Sequence, residues 1–375
     1  DTLNIKTNKI TIDEQGHTID GDEDYRIFYI PANYVTIQNL KLINGDCDEG
    51  AAIYADKYLT VKKCEFTNNK ASDRGGAIFN YNGNLDISDS IFKNNRASGT
   101  WGRDQYGGAI YSNGDLRVSN CNFTKNKAKT DGGAIYADAK VTATSSIFII
   151  NEAAGASSQC YAGAIYCTNI DCDKCIFDNN HAYDYGGAIY INNKGKSTIK
   201  NSKFTNNKAD DYNGGAIYSK KNIEVYNSLF KNNQANNSWS PSTSQGGAIY
   251  CGTITCNNCT FENNKAKKYA GAIYINDKEV STIKNSKFIN NTSPFNGGAT
   301  NIDDTSAHVV IKNNSFKGNT VDKDGEGSII YNYGHFDKIS NNYYGTNNPD
   351  WKNALYEHKY FGLDVEHRDS NHVRL

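Results

Sequence analysis

Ten cysteines stand in this chain, and two triplets share one spacing: Cys167/Cys172/Cys175 and Cys251/Cys256/Cys259. Thiolates at such spacing suit a metal or an iron–sulfur cluster. Neither triplet has a fourth ligand beside it. The repeat described below sets the two triplets three turns apart, about 14 Å at the strand spacing of β-structure, too far for a shared ion. We expect no metal here. Two readings stay open for the closer pairs, Cys172 with Cys175 and Cys256 with Cys259: a disulfide across a bend, or buried thiols acting as small hydrophobes.

Carboxylates cluster at Asp20/Asp22/Asp24, Asp46/Asp48/Glu49, Asp210/Asp211 and Asp322/Asp324/Glu326. The last is similar to a fragment of a calcium loop, but the spaced ligands and terminal Glu are missing. Calcium is the one cofactor left open, and solvated turns are the simpler reading. Cleavage of a polysaccharide would need paired carboxylates, or calcium with an Arg or Lys base, at one place. The nearest group, Asp171, Asp173 and Lys174, is explained by a turn, and the seven His are scattered. No catalytic residue is assigned.

Aromatic residues are the third group. Trp101 and Trp239 lie in insertions (Ala97–Tyr106 and Ala235–Gln245) that share one register with a third, Ala153–Tyr161. Insertions at one register of a repeat map to one face, often the binding face. Exposed Trp and Tyr, here also Tyr106 and Tyr161, stack on sugar rings or anchor protein partners. Loops that merely pack on one another are the bland alternative.

These residues must be held by repeated elements. The chain has 375 residues, of which 38% are hydrophobic, with 33 Gly, 26 Tyr and 15 Phe. The mean hydropathy is −0.68. So many aromatic residues exclude disorder. No apolar run is long enough for a membrane helix. A net charge of −1 gives no electrostatic reason to bind nucleic acid. There is no Met and the first residue is Asp1, so we expect an excised or mature segment, with any targeting or anchoring sequence outside it.

One motif recurs: Gly-Gly-Ala-Ile-Tyr at 107–111, 132–136, 186–190, 214–218 and 246–250, with close copies at 50–54, 75–79, 162–166 and 270–274. About a dozen residues later comes Phe followed by a polar Asn-Asn step, as in Phe66-Thr-Asn-Asn. Successive Phe residues from Phe66 to Phe316 are 25 to 31 positions apart. Short alternating segments such as Leu85-Asp-Ile87 and Leu116-Arg-Val118 read as strands between Asn- and Gly-rich corners. Units of this length with two or three short strands predict an all-β parallel β-helix, a right-handed solenoid of about twelve coils with end caps. Residues 1–30 form the N-terminal cap and first coil, 31–344 the repeats, and 345–375 the C-terminal cap and tail. A narrow bore accounts for the polar composition.

Substitution across copies predicts what faces the bore. From Phe66 to Phe288 the residue two before Phe is always Cys or Ser, and the residue five before it is almost always apolar. Both, with the Phe, point inward. The residue between them, often Asn, makes the bend and stacks into a ladder. In the other strand the Ile and the residue after Tyr point in, so the Ala and the Tyr should face out. This predicts an exposed aromatic strip of Tyr111, Tyr136, Tyr166, Tyr190, Tyr218, Tyr250 and Tyr274, with Tyr54 and Phe79, repeating at about 4.8 Å.

With Gly-His-Thr-Ile-Asp-Gly at 16–21, the Gly-Gly-Ala-Ile-Tyr units and the closing Ile-Ser-Asn-Asn-Tyr-Tyr-Gly-Thr-Asn-Asn-Pro-Asp-Trp at 339–351, the chain resembles the adhesin-like β-helix proteins of methanogenic archaea. The pairing of Gly-Gly-Ala-Ile with Phe-x-x-Asn is also similar to the passenger regions of chlamydial polymorphic outer-membrane proteins. The resemblance covers roughly residues 10–351. It departs at Tyr343 and Tyr344, where Trp is usual. It implies an extracellular, cell-surface protein that contacts glycans or proteins of other cells, probing for cell adhesion and carbohydrate binding rather than catalysis, and working as a monomer without nucleic acid or a membrane segment of its own. A structural spacer and a polysaccharide lyase or glycoside hydrolase are the alternatives.

Overall fold

A computed structural model describes residues 1–99, 105–155, 159–192, 194–237, 244–322, 325–345, 354–357 and 373–374. The chain divides into two compact units: residues 1–183 with 188–195, and residues 184–187 with 196–375. Each is built from the same turn of four short strands. In the first unit one turn runs Ile110–Ser112, Leu116–Ser119, Asn122–Thr124 and Lys127–Ala128. In the second, Ile217–Ser219, Asn222–Tyr226, Leu229–Lys231 and Gln234–Ala235 are its equivalents. The first two strands share one sheet, the third lies in a second, and the fourth in a third.

Equivalent strands of successive turns pair parallel and in register. Phe66 lies beside Phe92, Phe92 beside Phe123, and Phe123 beside Phe148. In the second unit Phe204, Phe230, Phe261 and Phe288 follow the same rule. Each unit is thus a right-handed parallel β-helix, as the repeat predicts. The fourth strand, typically Lys-Ala, goes beyond the two or three strands expected. It is only two residues long, too short for any alternation to show in sequence.

The corners are chemically determined. The residue three before each Phe adopts a left-handed backbone, as at Asn120, Asn227 and Asn258 (φ 52°, 50° and 56°). The residue two after it does the same, as at Asn94 and Asn232 (φ 56° and 57°). Asn tolerates this conformation better than other side chains. The Gly-Gly corner needs both glycines for different reasons. Gly107 has φ 66°. A Cβ on Gly108 would lie 2.1 Å from the Gly133 carbonyl oxygen of the next turn.

The bore is filled as expected from the substitution pattern. The Phe row, the Ile row and the small Cys or Ser row are buried throughout both units. Phe rings of adjacent turns stack with centroids 4.6–4.8 Å apart in the first unit. The Asn three positions after each Phe of this row also points into the bore, which the sequence reading did not assign. Asn126 Nδ2 donates to the Phe92 carbonyl (3.0 Å) and to Asn151 Oδ1 (3.0 Å). Its own Oδ1 accepts from the Asn95 backbone N–H (3.0 Å) and from Asn95 Nδ2 (3.1 Å). Asn233 and Asn264 repeat this pattern in the second unit. A buried amide is tolerated because every one of its polar groups is paired. The corner Asn residues form a second, exposed ladder, as expected: Asn227 Nδ2 donates to Asn201 Oδ1 (3.1 Å) and Asn258 Nδ2 to Asn227 Oδ1 (3.0 Å).

One inward–outward assignment is corrected. The Ala before each Ile was expected to face out, yet Ala109, Ala134, Ala216 and Ala248 are fully buried. The alternation breaks there because Ala109 N–H and Ile110 N–H both donate to one carbonyl, that of Ala134 (2.8 and 2.9 Å). Ala therefore sits in the bend and not in the pleat.

Candidate functional site

The Tyr rows form on the side of the strand opposite the bore-facing Ile, and their rings stack. In the first unit Tyr111–Tyr136, Tyr136–Tyr166 and Tyr166–Tyr190 centroids are 5.1, 4.5 and 5.1 Å apart, nearly parallel. In the second, Tyr218–Tyr250 and Tyr250–Tyr274 are 4.9 and 5.1 Å apart. The expectation of an exposed strip is nevertheless wrong. Tyr111 and Tyr190 are 4% exposed, Tyr274 is 1% exposed, and Tyr136, Tyr166, Tyr218 and Tyr250 are half-buried.

The cover comes from the residue just before each Gly-Gly corner. Tyr106 stacks on Tyr136 (4.5 Å) and Tyr161 on Tyr190 (4.6 Å). The Arg74 guanidinium sits 5.1 Å from the Tyr111 ring centre. Tyr185 meets Tyr218 edge-on at 4.8 Å. Single residues next to a turn carry no periodic signal strong enough to reveal this second row. The hydroxyls are engaged as well. Tyr111 and Tyr136 both donate to Asp138 (2.9 and 3.1 Å). Tyr274 donates to Asp303. Burial, then the nearby carboxylate of Asp138, holds Tyr111 and Tyr136 well above the ordinary phenol range. Desolvated, hydrogen-bonded rings of this kind chiefly hold adjacent turns together.

The three insertions are placed in part. Tyr106 and Tyr161 lie at their ends and are half-buried. Trp101 and Trp239 lie outside the described residues.

Nine of the ten cysteines are buried, and Cys47 is half-buried. Cys172 and Cys175 are close enough to hydrogen-bond through sulfur, and so are Cys256 and Cys259. Burial pushes the Cys256 thiol up, as it does Cys167 and Cys251. Cys64 is pushed up to about 11 and Cys121 to about 12 by the same cause. Raised thiols are protonated at neutral pH and poor nucleophiles. Among the described residues no group of His, Cys, Asp and Glu is arranged to hold a metal ion.

Three carboxylates of the acidic clusters stand in ion pairs. Asp46 pairs with Lys70 (2.6 Å), Glu49 with Arg74, and Asp210 with Lys208 (2.5 Å). Asp171 pairs with Lys140 of the preceding turn (2.5 Å), while Lys174 occupies a left-handed corner (φ 55°). In the cluster at 322–326, Asp324 lies outside the described residues.

A concave site absent from the sequence reading lies on the outward face of the first unit. There Leu59–Lys62, Leu85–Ser88 and Leu116–Ser119 pair in register. Their outward side chains form a shallow trough of about 340 Å³, with Tyr58 at one end and Arg117 at the other. Tyr58 donates its hydroxyl to Asp86, and Arg117 Nη1 lies 3.3 Å from the same carboxylate. This hydrogen bond, with burial, raises the Tyr58 phenol. The signal was present but faint. At this outward register the turns carry Thr36, Thr60, Asp86, Arg117, Thr142 and Asp171, and the only mark of the site is that Asp86 and Arg117 are adjacent.

A family model described as right handed beta helix region matches residues 3–169 and 161–316. The protein named "Probable autotransporter YfaL" of Escherichia coli (strain K12) is 31% identical over 255 residues, 60% of this chain and 19% of that protein. "Probable outer membrane protein pmp7" of Chlamydia pneumoniae is 31% identical over 207 residues, 49% of this chain and 22% of that protein. "Metabotropic glutamate receptor-like protein R" of Dictyostelium discoideum is 28% identical over 288 residues, 74% of this chain and 15% of that protein. The chain spans at most 22% of the length of these relatives. No solved structure matches it.

Proposed function

The chain belongs to the right-handed β-helix family, and on that premise we propose that it is the solenoid portion of a cell-surface adhesin, of the kind its repeats share with methanogen proteins. It contacts glycans or proteins of other cells, as a monomer, through its outer side chains. The observation that carries this reading is the division of each turn into a constant inside and a variable outside. Bore positions are restricted to Phe, Leu, Ile, Val, Asn and small residues, while one outward register runs Thr60, Asp86, Arg117, Thr142, Asp171. An outer face freed from packing is the part of a solenoid that can be specialised for a partner. The names of two of the relatives, an autotransporter and an outer membrane protein, support a surface location.

The test is a whole-cell binding assay with the purified chain, run beside a polysaccharide-cleavage screen. Saturable binding without cleavage is the expected result. Cleavage of any polymer would replace the reading with a β-helix hydrolase or lyase. Neither binding nor cleavage would leave a structural spacer.

A further inference from the structure

We infer that the trough between Tyr58 and Arg117 on the first unit is a binding site for an acidic glycan, one whose sugar rings carry carboxylates. The inference rests on the proposed surface-binding role and gives that role a location.

Recognition here must come from side chains. The strands under the trough already pair with their neighbours on both sides, so a peptide cannot join as an added strand. What the surface offers suits a saccharide. The Tyr58 ring is held by its hydroxyl bond to Asp86. The Tyr34 ring, 55% exposed, lies 5.3 Å from it at 45°. The held Tyr58 ring, with the tilted Tyr34 ring beside the trough, offers an aromatic face to the C–H face of a sugar ring. Hydroxyls of Thr60, Ser88 and Ser119 line the floor and both donate and accept, as sugar hydroxyls require.

Charge selects the kind of glycan. Asp86 is the one carboxylate lining the trough, and it already accepts from Tyr58 and faces Arg117. The Arg117 side chain is 60% exposed. It has five N–H donors, and Nη1 donates to Asp86 (3.3 Å). Lys62, also lining the trough, is exposed and makes no ion pair among the described residues. Two cations against one satisfied carboxylate leave the site positive. A planar guanidinium beside an aromatic platform matches a ring-borne carboxylate better than a neutral hydroxyl.

The experiment is calorimetric titration of the whole chain at low salt with oligogalacturonate, and in parallel with a neutral galactose oligomer of equal length. Arg117→Ala, Tyr58→Ala and Tyr58→Phe are compared with Lys284→Ala, which removes the same charge from an exposed position on the second unit. Oligogalacturonate should bind and the neutral oligomer should not. Arg117→Ala should weaken binding about tenfold or more, the scale of a lost charge-assisted hydrogen bond, and Tyr58→Ala should weaken it similarly. Lys284→Ala should leave it unchanged. If Tyr58→Ala lowers the thermal midpoint, Arg117→Ala decides, because its side chain faces solvent. Equal losses from Lys284→Ala and Arg117→Ala, no binding of oligogalacturonate, or a peptide pool that binds at the trough in its place would each overturn the inference. Cell binding that survives Arg117→Ala and Tyr58→Ala would overturn the trough alone. Absence of cell binding in the unaltered chain would overturn the adhesin reading itself.

Discussion

Within each unit two aromatic rows run along the turns, and they differ in what they tolerate. The Phe row of the first unit stacks at 4.6–4.8 Å, and every ring from Phe66 to Phe177 is fully buried. At its start the same row holds Leu42 and Ile19, so its substitutes are apolar. The Tyr row stacks at almost the same spacing but also admits a polar substitute. Phe79 stands in it in the first unit, and Asn301 takes its position in the second. The bore is closed on all sides, so a missing ring leaves a cavity with nothing to fill it. The outer row is closed only by side chains such as Arg74, Tyr106 and Tyr161, which can shift. Stacking distance is set by the backbone repeat and is common to both rows; closure is what makes one of them intolerant.

The sharpest way to break this comparison is through the amide that accompanies the inner row. Asn126→Ala removes four hydrogen bonds and strands the Asn95 N–H in the bore. It should lower the unfolding free energy by about 2.5–7.5 kcal/mol, from about 1–3 for the stranded N–H and about 0.5–1.5 for each of the three other bonds, read as a shift of the urea midpoint. Phe123→Ala should follow at about 3–5 kcal/mol. Tyr136→Ala should cost less, about 1.5–3 kcal/mol, because a half-buried ring loses less area and its neighbours can close over the gap. Should Tyr136→Ala equal Phe123→Ala, the distinction between closed and adjustable rows fails. Tyr136→Phe, which gives up one bond to an exposed carboxylate, should cost no more than about 1 kcal/mol.

Alkaline titration sharpens the same contrast. The folded thiols of Cys64 and Cys121 lie at about 11 and about 12, above the ordinary value of 9. A raised folded value means that the folded state holds its protons longer than the unfolded one. Their contribution to stability is full below pH 9 and is lost as pH rises toward 11 and 12. Unfolding monitored from pH 8 to 12 should show stability falling above pH 9, less steeply in Cys64→Ser. The smallest effect concerns the close pairs. If Cys172–Cys175 and Cys256–Cys259 are bridged, alkylation without reductant labels four fewer thiols than alkylation after reduction. Such short loops add little stability. Labelling of all ten cysteines without reductant would show thiols instead.

The repeat, its parallel pairing, the inward Phe, Ile and Cys/Ser rows and the corner Asn ladder were legible from residue types, because each recurs in nearly every turn and a strand alternates with a period of two. The bore-facing Asn126 row left a signal that was not used. The residue three after each Phe from Phe66 to Phe316 is Asn, whereas the residue two after it is Lys125, Ile150 or Gly318 in some turns, as a corner position allows and a paired amide in the bore does not. The Tyr row was placed on the correct side of its strand, yet its burial was not readable. Burial depends on Arg74, Tyr106 and Tyr161, which lie far from it along the chain and differ from turn to turn. The trough was missed for the same reason. Tyr58, Asp86 and Arg117 belong to three successive turns, and none of them is unusual within its own. Periodic residues report the fold because packing acts on every turn alike. A site made from the exceptions exists only when the turns are stacked and the exceptions meet.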